Sequence, residues 1–342
     1  MSAKTATLTV IIPCFNEEQV LPACYARVKS MLEGMRADFG VEGFILFVND
    51  GSRDRTPFIL NDLAKKDPGT VQVIHLSRNF GHQPALTAGM RYCHTDFAVS
   101  MDADLQDPPE VIPEMYRRMR DSEVDVVYGV RSERQGETWF KKASAKAFYR
   151  ILNKMSEVPL PVDTGDFRMM DKSVLDAFRS LPEHNKYIRG LISWLGFTQA
   201  PLEYRREARF AGKTKYSLSQ MVSLAVNAMQ HFSHKPLKLA MSLGYITVLL
   251  AVLLGLWVIL GKVFGFTHPE AGWSSIVFFI AFFAGIQLIS LGMLSSYVSL
   301  IFDEVKERPE YIVARTLNLP DPVPPFSPLT LKDSDDAKRE PR

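Results

Sequence analysis

Two carboxylates and a carboxamide within five residues, Asp102, Asp104 and Gln106, form the chain's most chemically suggestive grouping. Their oxygens suit a hard divalent cation, Mg²⁺ or Mn²⁺, that shares its coordination shell with a diphosphate. A D-x-D taken alone reads equally as a solvated acidic turn, so the flanking residues decide. The apolar run Phe97-Ala98-Val99-Ser100-Met101 reads as a buried strand that stops where the acids begin. Asp107-Pro108-Pro109-Glu110 reads as a helix start, with Asp107 as N-cap, Pro108 at the first helical position and Glu110 closing a capping box. The acids then occupy the carboxyl end of a strand, where open α/β sheets bind their ligands.

Elements that position such a turn are legible on both sides of it. Strands are expected at 7–12, 44–48, 71–76, 97–101 and 125–130. Helices are expected from a cap at Asn16-Glu17-Glu18 to about Met35, from Thr56-Pro57 onward, and over 83–93. This alternation implies a parallel sheet with crossovers. Every strand end carries polar or glycine residues, which places one ligand crevice along that edge. There, Asp50 is an acceptor for a base or ribose, or simply the turn-former of Asp-Gly. Arg78 meets a phosphate or orients Asp102, or is a surface arginine. Glu17 is a ribose contact or a first-turn carboxylate facing the helix dipole. No G-x-G-x-x-G follows a strand, so a dinucleotide oxidoreductase loses its main support.

The totals narrow the classes further. A chain of 342 residues has room for one large domain with extra elements, or for two domains. A formal net charge of +2 argues against a nucleic-acid partner. Cys14, Cys24 and Cys93 lack metal-ligand spacing and read as reduced thiols on the cytosolic side. The histidines form no H-x-x-x-H pair, which disfavours a zinc hydrolase, and one lysine before the first strand makes no secretory signal. Residues 239–261 and 274–302 are uncharged and apolar, each long enough to span a bilayer. Lys235 and Lys238 precede the first stretch and Lys306 and Arg308 follow the second, so the positive-inside bias puts both termini in the cytoplasm. Leu218, Met221, Val222, Ala225, Met229 and Phe232 recur at helical spacing, the pattern of an amphipathic helix lying at the membrane interface. Two basic stretches stand out: Arg131, Arg134, Lys141, Lys142 and Lys146, and then Arg205, Arg206, Arg209, Lys213 and Lys215. The first reads as a loop that closes over bound substrates. The proline-rich tail from Pro320 is expected to be disordered.

Three strings, Ile12-Pro13-Cys14-Phe15-Asn16-Glu17-Glu18, Asn49-Asp50-Gly51-Ser52 and Asp102-Ala103-Asp104-Leu105-Gln106-Asp107-Pro108, resemble the family-2 nucleotide-sugar glycosyltransferases of GT-A fold. Four more are Arg78-Asn79-Phe80-Gly81, Asp163-Thr164-Gly165-Asp166-Phe167-Arg168, Phe210-Ala211-Gly212-Lys213-Thr214-Lys215-Tyr216 and Val305-Lys306-Glu307-Arg308-Pro309-Glu310-Tyr311. They make the chain similar, over roughly 7–315, to polyprenyl-phosphate glycosyltransferases of the bactoprenol glucosyltransferase type. Cys14 stands where that family commonly has an aromatic, and Ser295-Ser296-Tyr297 where Gly-Glu-Tyr is usual. No Q-x-x-R-W of the processive synthases occurs, so a single sugar is expected to move.

The fold expected is α/β: a GT-A nucleotide-sugar-binding domain with a mostly parallel sheet over 1–216. An amphipathic interface helix at 217–236, two C-terminal transmembrane helices within 237–302, a juxtamembrane segment at 303–316 and a disordered tail at 317–342 follow. The resemblance implies a multi-pass protein of the cytoplasmic membrane. It would transfer a sugar, with inversion, from a nucleotide sugar such as UDP-glucose to polyprenyl (undecaprenyl) phosphate, with Mg²⁺ or Mn²⁺ as cofactor. It assigns the metal to Asp102, Asp104 and Gln106. It gives the donor nucleotide to Pro13, Glu17 and Asp50, and the strand-end positions add Asn16, Arg78 and Asp102. An anionic acceptor needs cationic partners, so Arg131, Arg209 and Lys215, with Ser144, are expected at the acceptor phosphate or diphosphate, and Asp104, Asp166 and Arg168 in catalysis. A phosphate monoester with a second pKa of about 6 is already largely dianionic at neutral pH. Orientation is therefore ranked above base catalysis for Asp166. The alternatives are another donor sugar (mannose, N-acetylhexosamine or an aminopentose) and a non-catalytic membrane scaffold. Oligomeric state is left open.

Overall fold

Thr7–Cys14 (β1) and Glu42–Asn49 (β2) are apolar along nearly their whole length, and almost every residue of β1 is buried. Unbroken apolar runs are what a strand covered on both faces requires. Val71–Leu76 (β3), Phe97–Ser100 (β4) and Val126–Arg131 (β5) have the same character. Thr164–Asp171 (β6), Gln199–Tyr204 (β7) and Val313–Leu317 (β8) complete one eight-stranded sheet of order β7-β5-β6-β4-β1-β2-β3-β8. β1 runs parallel to β2 and β4, β2 to β3, and β5 to β7. β6 reverses between β4 and β5, and β8 reverses at the β3 edge. The mostly parallel α/β architecture is as the sequence implies; the two reversals are additions to it.

This computed structural model describes residues 5–131, 164–183, 188–207 and 272–319, with a discontinuous set between 242 and 264. The helices around the sheet are Leu21–Phe39 (α1), Thr56–Lys66 (α2), His82–Tyr92 (α3), Ile112–Ser122 (α4), Lys172–Ser180 (α5) and Ile188–Trp194 (α6). On one face of the sheet Val10, Ile12, Ile45 and Phe47 pack with Leu21, Cys24 and Val28 of α1. On the other, Gly89 of α3 comes so close that a Cβ there would stand 2.2 Å from Ile11 Cγ2. All three cysteines are free and buried. Burial, with Glu17 nearby, pushes the Cys24 thiol up to about 12, so it behaves as a packing group.

Two capping expectations are corrected. Helix α1 begins only at Leu21, and no side chain caps it. Asn16 instead adopts a left-handed conformation (φ 57°), and its Oδ1 accepts from the amide of Arg53. Likewise Asp107 does not cap: a 3₁₀ turn at Pro109–Val111 precedes α4, without a side-chain cap. The Asp107 carboxylate is taken by the Tyr204 hydroxyl and Glu110 by Arg27, partners that charge and burial make stronger than a cap.

The compact unit containing the sheet gathers 1–146, 158–216 and 308–342; a second gathers 147–157 and 217–307. Strand β8 thus returns the chain to the first unit. Ser77 donates to the Ile312 carbonyl, Tyr311 is buried, and Arg315 donates to Asn61 Oδ1. His75, between Asn49 and Asn61, is held down to about 4 by burial and the charge of Arg315, so it stays neutral there.

In the second unit, Trp273–Val305 (α7) is a 33-residue helix. Its segment Phe282–Val305, 24 residues of mean hydropathy 1.6, spans about 36 Å at helical rise and is the one candidate membrane span among the described residues. The other expected span, 239–261, is described only in part, and residues 244–247 within it are helical. Ser144 and the rest of the loop after Arg131, the interface helix with Arg209, Lys213 and Lys215, and the proline-rich tail lie outside the described residues.

Candidate active site

Strand ends converge on a cleft of about 320 Å³. The end of β1 contributes Pro13, Cys14, Phe15 and Glu17; the residue after β2 is Asp50; after β3 come Asn79, Gly81 and His82. Asp102, Ala103 and Asp104 follow β4, while Asp166 of β6 and Arg189 of α6 close the cleft. The carboxyl-edge expectation holds.

Backbone chemistry explains why these particular strings occur. The Asp50 carboxylate accepts from the amides of Phe80 (2.7 Å) and Gly81 (2.9 Å), which ties the β2 exit to the β3 exit. Gly51, at φ +61°, lies where a Cβ would stand 2.3 Å from the Arg78 carbonyl carbon, so only glycine fits. The loop after β1 is stitched to the next loop in the same way. Ser52 Oγ accepts from the Asn16 amide, Thr56 Oγ1 from that of Glu17, and Glu18 Oε2 from that of Arg55. In the acidic turn Leu105 takes a left-handed conformation (φ 57°), unusual for a branched residue. Its side chain is buried in the core, and Asp104 Oδ1 accepts from the Gln106 amide. The turn is thereby held with its two acids toward the cleft.

Charge is distributed unevenly across this cleft. Burial, with Asp166, Asp107 and Asp104 around it, raises the Asp102 carboxyl above its ordinary range, although the nearby His82 draws it back in part. Asp166 is the reverse. Its burial is overcome by Arg189, whose Nε and Nη2 donate to Oδ1 (2.7 Å) and Oδ2 (2.9 Å), and by His82 Nε2 at 3.2 Å. The carboxylate is held well below its usual range and is a poor base. His82 also stands 3.6 Å from Asp102 Oδ1. Burial lowers its affinity for a proton, but the bond to Asp166 and the charges of Asp102 and Asp166 outweigh this and lift it to about 9.

The residues chosen from sequence are thus sorted by the fold. Pro13, Glu17, Asp50, Asp102, Asp104 and Asp166 line the cleft together. Asn16 accepts from the neighbouring loop, and Arg78 stacks on Phe80 (4.0 Å) and is not among the residues lining the cleft. Arg168 is buried on β6 and donates to the Gly165 carbonyl. Arg131 ends β5 with its guanidinium against Gly165. Cys14, where the family commonly has an aromatic, is buried in the core, while the next residue, Phe15, is 41% exposed and lines the cleft. His82 and Arg189 were missed. His82 opens a helix directly after Arg78-Asn79-Phe80-Gly81, so the strand-end rule that selected Asp50 reaches it as well. Arg189 sits on a seven-residue helix with no surrounding pattern, and only folding brings it to Asp166.

Fold and cleft define an α/β protein with a ligand crevice at the carboxyl edge of its sheet. Residues 9–179 match the model of glycosyl transferase family 2, and the chain belongs to that family; it is a glycosyltransferase. It is 43% identical to the uncharacterized glycosyltransferase YkcC of Bacillus subtilis, over 91% of this chain and 94% of that one. It is 36% identical to a prophage-derived bactoprenol glucosyl transferase of Shigella flexneri, over 90% and 98% of the two chains. A looser likeness, at 15% identity and TM-score 0.45, covers 66% of this chain and 76% of a glucosyl-3-phosphoglycerate synthase from Mycobacterium tuberculosis.

Proposed function

We propose that this glycosyltransferase moves one sugar, glucose from UDP-glucose, to the phosphate of a membrane polyprenol, inverting the anomeric carbon. The observation that carries the reading is the acidic turn at the sheet's carboxyl edge, combined with full-length similarity to bactoprenol glucosyl transferases. Asp102 and Asp104 fit a divalent cation. Asp102 is under repulsion from its acidic neighbours, which a cation relieves. Among the described residues no three His, Cys, Asp or Glu side chains are arranged to hold a metal ion by themselves, so the shell is completed by Gln106, water and the donor diphosphate. That is the habit of Mg²⁺. Bound there, the metal neutralises charge on the departing diphosphate. Phe15 is placed to stack on the base, with Glu17 beside it for the ribose.

The acceptor phosphate arrives as an anion and needs guanidinium and ammonium groups; Arg131, Arg209 and Lys215 supply them, and Ser144 adds a hydroxyl donor. Asp166, locked by Arg189 and His82, orients its surroundings and accepts no proton. A membrane location with two spans is supported by connectivity. Glu207 donates to the Gln106 carbonyl and β8 is hydrogen-bonded to β3, so the chain before and after the two apolar stretches is fastened to the same sheet. A chain that starts and ends on one side of a bilayer crosses it an even number of times. With α7 as one, a second falls in the earlier apolar stretch.

The test is a donor panel on the purified full chain with undecaprenyl phosphate and Mn²⁺ or Mg²⁺. Transfer of glucose from UDP-glucose into the lipid fraction is expected. Transfer from only another nucleotide sugar would correct the donor, and no transfer from any would overturn the reading.

A further inference from the structure

We propose that Asp107 is the positioning residue that fixes the acceptor-side arginines relative to the acidic turn, an inference resting on the acceptor role given above to Arg131. Asp107 is 1% exposed and directly follows the proposed metal-binding residues. Tyr204, at the end of β7, donates its hydroxyl to Asp107 Oδ1. The same hydroxyl bonds to the Arg131 side chain at the end of β5. Arg206 brings its Nε to 3.7 Å from the same Asp107 oxygen, an ion pair too long for a hydrogen bond. One buried carboxylate thus gathers a phenol and two guanidinium groups from two strand ends, leaving a net positive charge beside the acidic turn.

Three features show that the assembly is built. Gly165 is the seat of the Arg131 guanidinium: a Cβ there would lie 2.8 Å from Arg131 Nη2. The Nε atoms of Arg131 and Arg206 are buried with no hydrogen-bond partner among the described residues. The β7 exit is also fastened to the acidic turn independently of Asp107. Glu207 donates its amide to the Gln106 carbonyl, and Arg27 pairs with both Glu110 and Glu207. The segment that runs on toward Arg209 and Lys215 therefore starts from a fixed point on the donor side. Asp107 sets where the positive charges stand; it touches no reacting atom.

The experiment compares Asp107→Asn, Tyr204→Phe and Arg206→Gln with wild type in the full-length protein. It reads donor KM, acceptor KM, kcat, UDP binding with Mg²⁺, and melting temperature. Asp107→Asn is expected to raise acceptor KM at least tenfold, with donor KM and UDP affinity within twofold and a melting temperature that falls but stays above the assay temperature. Tyr204→Phe should do the same by about threefold, and Asp107→Asn combined with Arg206→Gln should cost less than the product of the singles. Unchanged acceptor KM, or a matching loss of UDP affinity, overturns the proposal. If Asp107→Asn does not fold, the Tyr204 and Arg206 variants decide by the same split. Should wild type transfer nothing to polyprenyl phosphate, the acceptor reading falls by itself. A crystal structure of Tyr204→Phe then decides the positioning claim: a displaced Arg131 supports it and an unmoved one refutes it.

Discussion

Asp102 and Asp166 open into the same cleft, yet their surroundings prepare them for opposite work. Asp102 lies in an acidic turn, and burial together with the charges of Asp166, Asp107 and Asp104 raises its affinity for a proton. Asp166 is met by a two-pronged arginine and a histidine, and its proton affinity is suppressed. One carboxylate lacks enough positive charge and the other already has it. This contrast is what the proposed function uses, with the metal and diphosphate at the β4 edge and Asp166 held in place on β6.

The comparison breaks most visibly at the metal side. Asp104→Ala is expected to lower transfer by at least about 10²-fold, the scale of losing Lewis-acid stabilisation of several kcal/mol, in an assay of labelled lipid product. On the other wall, Arg189→Ala leaves a buried carboxylate short of its main partner. A loss of about 3 kcal/mol in denaturant unfolding of the full chain is expected. Asp166→Asn sharpens the contrast further: turnover abolished with donor and acceptor binding intact would make Asp166 a base and erase the distinction.

His75 is a titratable group that does not line the cleft. Its folded pKa of about 4 lies below the ordinary 6.5, so the stability it confers is complete above 6.5 and lost as pH falls toward 4. The loss is about 2 kcal/mol by pH 5. His75→Asn should flatten this part of the pH–stability curve without altering substrate KM; unchanged pH dependence would refute the assignment. The smallest effect is expected at Phe15→Ala, about 1 kcal/mol of nucleotide binding measured by titration, the low end of base–aromatic stacking. No change there would move the base elsewhere in the cleft.

Much of this was legible because the central strands are buried on both faces, which forces continuous apolar runs such as Thr7–Cys14 and puts polar residues only at their ends. β7 and β8 gave no such signal. Gln199–Tyr204 contains a proline and a glutamate, as an edge strand tolerates, and Val313–Leu317 is five residues long with a central arginine. The caps misled for a different reason. Asn16 and Asp107 are cap-forming types, but each had a tertiary partner, the Arg53 amide and the Tyr204 hydroxyl, that local spacing does not reveal. Arg189 follows the same logic: its meaning lies in a partner 23 residues away across the sheet edge.

The central claim is that a divalent cation held by Asp102 and Asp104 grips the donor diphosphate. Calorimetric titration of UDP into the purified full chain tests it most directly, with Mg²⁺ or Mn²⁺ and then with the metal chelated. Binding should weaken at least tenfold on chelation, and Asp102→Asn should bind UDP equally weakly with or without metal. UDP affinity indifferent to both the chelator and the substitution would contradict the account.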